Sequence, residues 1–166
     1  MSRRWVVNSS PLIILARISQ LDLLTGLCSE IAIPEGVAQE IGRGRPDDPA
    51  KAWLRAEGQA FVVPAPRAEP SLAEWDLGLG ETQVISFARD NLGFEVLIDD
   101  RMARRCASSL GIAVRGTLGV IILARKETRL SHIEPILNQM VELGFRIRPE
   151  LMRAALRLVN EWSPMT

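Results

Sequence analysis

The chain has 166 residues, with Lys+Arg and Asp+Glu equal at 20 each, 47% hydrophobic and 24% charged residues. That length suggests one domain with a sizeable core, and the balanced charge excludes nucleic-acid binding through bulk positive charge, leaving a local basic patch as the only basic feature to look for. Cys28 and Cys106 form no C-x-x-C pair, no apolar stretch is long enough to span a bilayer, and Asn8 and Pro11 interrupt the apolar run that an export signal would need, so a cytoplasmic protein without membrane contact is expected.

Trp5-Val6-Val7 reads as a short buried strand, followed by Ser9-Ser10-Pro11 as a cap with proline at the first helical position. That helix runs through Leu12, Leu15 and Ala16, with a shorter apolar turn at Leu21 to Leu24. Glu30 to Ile33 is a second strand, and Pro34 opens a helix carrying Val37, Ala38 and Ile41. After the basic loop Gly42 to Pro46, Asp48-Pro49 caps a helix with Ala52, Trp53 and Ala56, and Phe61-Val62-Val63 is a third strand. A Pro-rich link covers Pro64 to Pro70. Gly78-Leu79-Gly80 precedes a helix from Glu81 to about Asp90, and Glu95 to Ile98 is a fourth strand. A helix over Arg101 to Leu110 is closed by Gly111, Ile112-Ala113-Val114 is a fifth strand, and Thr117 begins a helix through Leu123. Two last helices cover about Ile133 to Leu143 and Pro149 to Trp162. Such regular alternation implies parallel strands with helices on both faces.

The run Val96-Leu97-Ile98 ends in two adjacent acids, Asp99 and Asp100. Glu40 and Glu81 also follow strands in this reading, Glu40 one turn from Val37 and so at the edge of a buried stripe. In a parallel sheet the C-terminal strand ends open to one crevice, where these acids can converge. Clustered oxygen donors favour hard divalent ions, which neutralise charge on a phosphoryl group and activate water. Each acid also has an ordinary explanation. Glu81 suits a helix dipole, Asp100 an N-cap, and Glu40 a solvated helix position. Only the four together at strand ends raise the functional reading above these.

The order and spacing of Val6-Val7-Asn8-Ser9-Ser10-Pro11-Leu12-Ile13, Ile33-Pro34 through Val37 and Glu40, Leu79-Gly80-Glu81 with Ala88, and Leu97-Ile98-Asp99-Asp100-Arg101 resemble PIN domains. These are metal-dependent nucleases that include toxins of bacterial toxin–antitoxin pairs. The resemblance covers nearly the whole chain, and Gly116-Thr117-Leu118-Gly119-Val120 is similar to a variant in a poorly characterised PIN-like branch. It implies a single domain over residues 1–166 with a three-layer α/β/α fold and a central parallel sheet of about five strands. The C-terminal helices (about 133–162) would pack on it or form an interface. It further implies a Mg²⁺- or Mn²⁺-dependent endoribonuclease acting on single-stranded RNA, with an antitoxin protein and a second copy of the chain as candidate partners.

Residue by residue, the resemblance gives Glu40, Glu81 and Asp100 as catalytic acids holding metal, with Asp99 as an extra neighbour. It implies a further acid where this chain has Asn8, whose amide oxygen can ligate a cation but adds no negative charge. Asp99 can then compensate in part. Alternatively, the protein is a weakened or inactive module that binds RNA without cutting it. Ser10 lies where the family often has a hydroxyl near the metal site, and Thr117 lines the cleft. Arg101, Arg104 and Arg105 would position a phosphate backbone, with Arg43, Arg45 and Arg115 at the same rim.

His132 is the only histidine, which excludes a two-histidine ribonuclease mechanism. Gln83 breaks any dinucleotide fingerprint after Gly78 and Gly80. A phosphatase or receiver domain needs an acid directly after the first strand, and Asn8 argues against both. The last helix carries a wide apolar stripe, Leu151, Ala155, Leu158 and Trp162, suited to core packing, a homodimer surface or a groove for an antitoxin helix.

Overall fold

The computed structural model describes residues 2–162. The chain forms two compact units, Met1–Gly116 and Thr117–Thr166. In the first, strands β1 (Arg4–Val7), β2 (Glu30–Pro34), β3 (Val62–Val63), β4 (Phe94–Leu97) and β5 (Val114–Arg115) form a sheet in the order β3-β2-β1-β4-β5. All its pairings are parallel. Parallel neighbours cannot be joined by a hairpin, so the chain returns along the outside of the sheet each time. Helices α1 (Ser9–Arg17), α2 (Asp22–Leu27), α3 (Glu35–Gly42), α4 (Pro49–Ala56), α5 (Leu79–Asp90) and α6 (Arg101–Ser109) make those returns. The result is the expected three-layer α/β/α architecture.

Both faces of the central strands are covered, and Trp5, Val6, Val7, Val96 and Leu97 are fully buried. This is why these runs are continuously apolar rather than alternating. Trp5 Nε1 donates to Glu95 Oε2 at 2.9 Å, and Arg115 Nε lies 3.2 Å from Glu95 Oε1, tying β1, β4 and β5 through one partly buried carboxylate.

The chain moves outward from β1 to β2 to β3, then crosses back to β4 on the other side of β1. The order therefore reverses between β1 and β4, which opens a crevice beyond their C-terminal ends. Val7 pairs with Leu97 in register. Asn8, and Asp99 with Asp100, accordingly leave the sheet side by side.

Several elements differ from the sequence expectation. The first helix begins at Ser9 with Asn8 as N-cap, so Pro11 is its third residue; proline is tolerated there because first-turn N–H groups have no intrahelical acceptor. Phe61 closes a 3-10 turn (Gly58–Phe61) ahead of β3, and a second 3-10 segment, Pro70–Trp75, follows the Pro-rich link. The fifth strand is Val114–Arg115, starting two residues later and ending one residue later than expected.

The second unit contains α7 (Thr117–Lys126), α8 (Glu134–Glu142) and α9 (Pro149–Leu158). The last helix stops before Trp162, so Trp162 does not lie on its stripe; Leu151 and Leu158 of that stripe are exposed, while Ala155 is buried. The N-cap of α8, Ile133, has no side-chain oxygen to offer. Glu161 supplies one from outside the helix, its Oε2 accepting from Ile133 N at 2.8 Å and Glu134 N at 3.3 Å, while Oε1 pairs with Arg125 at 2.9 Å. Burial opposes the Glu161 charge, but the Ile133 N–H, the Arg125 guanidinium and the Glu134 N–H outweigh it and hold the carboxyl below its ordinary range. Glu161→Gln is expected to cost about 2 kcal/mol, the usual scale for hydrogen bonds to a charged group. A depressed acid pKa contributes stability that is complete above the unfolded-state value and is lost as pH falls through the folded-state value. Urea unfolding of wild type and variant should therefore differ most at neutral pH and converge in acid.

Candidate functional site

Asn8 N donates to Leu97 O at 3.0 Å, extending the β1–β4 ladder by one step into the crevice. Its side chain is 2% exposed. As N-cap of α1 it has extended backbone angles (φ −82°, ψ 168°), yet its side chain makes no capping bond. A capping oxygen normally takes the N–H of the second or third helical residue, and the third here is Pro11, which has none. Asn8 Oδ1 is the one buried side-chain polar atom without a hydrogen-bond partner among the described residues.

Two helices meet at this crevice through an exchange of first-turn bonds. The N-caps of α3 and α5 are Pro34 and Gly78, neither of which carries a capping side chain. Their orphan N–H groups are satisfied across the helix pair. Gly36 N at the start of α3 donates to Gln83 Oε1 of α5 at 2.7 Å, and Gly80 N of α5 donates to Glu40 Oε1 of α3 at 2.9 Å. A Cβ at Gly80 would sit 2.7–2.9 Å from the Glu40 carboxylate, so close an approach requires glycine. Ser9 Oγ donates to the other oxygen, Glu40 Oε2, at 2.8 Å. Glu40 is thus half-buried and anchored at both oxygens.

Glu81 Oε2 accepts the Gly78 N–H at 2.8 Å, closing the α5 N-terminus on itself. Burial pushes the Glu81 carboxyl above its ordinary pKa; the Gly78 N–H opposes this, the Asp100 and Glu40 charges add to it, and the Asn8 amide pulls back. These influences bring Asn8, Glu40, Glu81 and Asp100 into one electrostatic group. Asp100 is the N-cap of α6, with Oδ2 accepting from Ala103 N at 2.8 Å, and is otherwise exposed. Both acids have the ordinary capping roles expected of them, and each carboxylate retains lone pairs beyond those bonds.

The other expected residues are placed as follows. Asp99 is half-buried and its Oδ1, together with the Arg104 guanidinium, flanks Gly116. Ser10 is exposed, and it is the preceding Ser9 that reaches Glu40. Arg101, Arg104 and Arg105 are exposed on α6. Arg115 is engaged with Glu95, and Arg45 with Asp47 at 3.1 Å. Thr117 opens α7 in the second unit and is buried. Sequence reasoning missed Ser9, Gln83 and Gly80. The available signal was a glycine in the first turn of each of two helices whose caps lack side-chain oxygens.

The all-parallel five-stranded sheet flanked by helices, with carboxylates at its switch point, defines a three-layer α/β/α protein with an acidic crevice. More specifically, a family model described as a PIN domain matches residues 4–161, and the chain belongs to that family. Among curated proteins, none matches the chain. No helix among the described residues is long and apolar enough to cross a membrane.

PIN domains generally use divalent metal ions. Among the described residues, no three His, Cys, Asp or Glu side chains close into a cage for one ion. The donor set nevertheless fits a hard cation. All donors are oxygen, one of them is the buried unpartnered Asn8 Oδ1, and Mg²⁺ is usually held by one or two carboxylates plus waters rather than by an all-protein cage.

Proposed function

We propose that this chain is a Mg²⁺- or Mn²⁺-dependent endoribonuclease acting on single-stranded RNA. The observation that carries this reading is the buried, unpartnered Asn8 oxygen beside Glu81, where the Glu40 and Asp100 charges also act. Glu81, Asp100 and Glu40 would hold the cation with Asn8 as a neutral oxygen donor, and Asp99 would add negative charge nearby. A divalent ion in such a place neutralises developing charge on a phosphoryl group and acidifies water. The chain's own contribution is positional. The Gly80 N–H and the Ser9 hydroxyl orient Glu40, the Gly78 N–H orients Glu81, and the α6 N-terminus orients Asp100.

Arg101, Arg104 and Arg105 project from the helix capped by Asp100, and on this reading they contact the RNA backbone, with Ser10 as a further contact; Thr117 is buried and out of reach of RNA. Replacing the three arginines with alanine should lower the slope of log affinity against log salt by about 2, the counterion release of three single-strand phosphate contacts. Titration of a fluorescent oligoribonucleotide at several salt concentrations measures this, and an unchanged slope removes the arginines from the interface.

The family match, residues 4–161, spans both units, which supports taking residues 1–166 as one PIN-like domain. The exposed Leu151 and Leu158 on α9 favour a protein partner, either a second copy or an antitoxin; a monomer by sedimentation sinks the homodimer.

The direct test incubates purified protein with single-stranded RNA, double-stranded RNA and DNA, in Mn²⁺, Mg²⁺ or chelator. Cleavage confined to single-stranded RNA with a cation supports the reading. Binding without cleavage in every condition favours the second one, an RNA-binding module weakened by the neutral Asn8.

A further inference from the structure

The 3-10 segment Pro70–Trp75 ends at Asp76, which adopts left-handed backbone angles (φ 50°, ψ 47°) and turns the chain toward the N-terminus of α5. Glycine takes this conformation most easily, so an aspartate here keeps a carboxylate at some conformational cost. A cavity of about 330 Å³ lies between that segment and the first turn of α5. Its size falls within the range of small-molecule sites, about 300–1,000 Å³. Pro70, Leu72, Ala73 and Leu77 give it apolar walls, and the exposed Asp76 and half-buried Thr82 add polar groups to its lining. Its other acid, Glu69, is already committed, accepting from the Ser71 N–H and hydroxyl and pairing with Arg89. The Asp76 carboxylate and the Thr82 hydroxyl have no hydrogen-bond or ion-pair partner among the described residues. Thr82 follows Glu81, and its N–H donates to Gly78 O at 3.0 Å, so the cavity adjoins the residue whose own N–H holds Glu81.

We propose that this cavity is a nucleobase subsite that takes a guanine of the RNA strand beside the acidic crevice, with Asp76 reading its N1–H and N2–H and Thr82 its O6. Single-stranded RNA is read through unstacked bases whose Watson–Crick edges meet side-chain donors and acceptors. An ionised carboxylate offers two acceptors side by side and no donor. Guanine alone of the four bases presents two adjacent N–H donors on that edge. Adenine and cytosine set a ring-nitrogen acceptor beside their amine, and uracil has one N–H between two carbonyls, so each would bring an acceptor against the carboxylate. The threonine hydroxyl can rotate to donate to O6, and the apolar walls cover the ring faces. The proposal rests on the RNA reading above and adds to it the base that the strand presents near the acids.

The test measures binding of the full chain to four adenine-rich RNA strands that differ only in carrying G, A, C or U at one central position. Fluorescence anisotropy is read in EDTA at low salt, where phosphate contacts are strongest. The G strand should bind about tenfold more tightly than the other three, the discrimination expected of a good bidentate pair. Asp76→Asn should reduce that preference to less than about twofold, because an amide offers one acceptor and one donor, while asparagine keeps the left-handed turn. Thr82→Val should lower the preference severalfold by removing the donor to O6. Equal affinity for the four strands, a preference for another base, or a guanine preference that survives Asp76→Asn overturns the subsite and leaves the endoribonuclease reading standing. Guanosine monophosphate that binds wild type but not Asp76→Asn, while the four strands are bound equally, assigns the cavity to a free nucleotide and likewise overturns the RNA subsite. Guanine-selective binding without cleavage in Mn²⁺ supports the subsite and removes only the endoribonuclease reading. Absence of binding to any strand, in EDTA or with Mn²⁺ added, overturns both.

Discussion

Asp100→Asn combined with Glu81→Gln is expected to lower cation-dependent cleavage of single-stranded RNA by at least about a hundredfold, the scale seen when one preorganised electrostatic contact is removed from an active site. The same variant should melt higher than wild type in chelator. These two signs together identify a site in which stability is sacrificed to hold charges close. The substitutions leave the local structure in place. Asparagine caps a helix as well as aspartate does, so the Ala103 N–H keeps its acceptor, and glutamine keeps an oxygen for the Gly78 N–H. What is lost is negative charge. Glu81 is held above its ordinary pKa by burial first, with the Asp100 and Glu40 charges adding to it, so its ionised form is a penalty to the metal-free fold. For an acid with a raised pKa, that penalty is complete above the folded-state pKa and gone below the unfolded-state one. The gain in melting temperature should therefore shrink in acid. Cleavage that survives the double substitution, measured on the same RNA with Mn²⁺, would remove both residues from the chemistry.

The placement of these acids at strand ends was readable from the chain because it depends on local pattern. Val96-Leu97-Ile98 and Trp5-Val6-Val7 are continuous apolar runs, as strands buried on both faces must be, and the residue that follows such a run is delivered to the crevice. The capping roles of Glu81 and Asp100 were equally local, each acting within three residues of itself. The bonds that orient Glu40 are of another kind. Ser9 lies 31 residues from it and Gly80 lies 40 away, and the reciprocal Gly36–Gln83 bond spans 47. No periodicity encodes these pairings, since they exist only once α3 and α5 are packed together. The misplaced helix start at Ser9 has a similar origin. A serine followed by a proline reads as a cap, but the β1 ladder continues through the Asn8 N–H to Leu97 O, so the cap falls on Asn8. The reach of the last helix was overread because Trp162 fits the apolar stripe, whereas α9 ends at Leu158 and Glu161 is drawn away to the N-terminus of α8.

Gly80→Ala isolates the long-range part of the site. Gly80 lies in the first turn of α5, where alanine would by itself favour the helix by up to about 1 kcal/mol. Against this, the new methyl would stand 2.7–2.9 Å from the Glu40 carboxylate, which is fixed by the Gly80 N–H and the Ser9 hydroxyl. Either the carboxylate leaves both donors or the helices separate, and overpacking of this kind costs about 1–3 kcal/mol. The expected result is a net loss of stability together with at least about a tenfold loss of cleavage, as when a residue supporting a metal ligand is removed. Glu40→Ala provides the control, because without the carboxylate the methyl at position 80 has room. Adding Gly80→Ala to Glu40→Ala should then be neutral or stabilising, giving strong non-additivity between two residues in contact. Denaturant unfolding of the four proteins measures this cycle. Additive effects would show that Gly80 is small for some reason other than Glu40, and the helix-to-helix orientation of that carboxylate would lose its support.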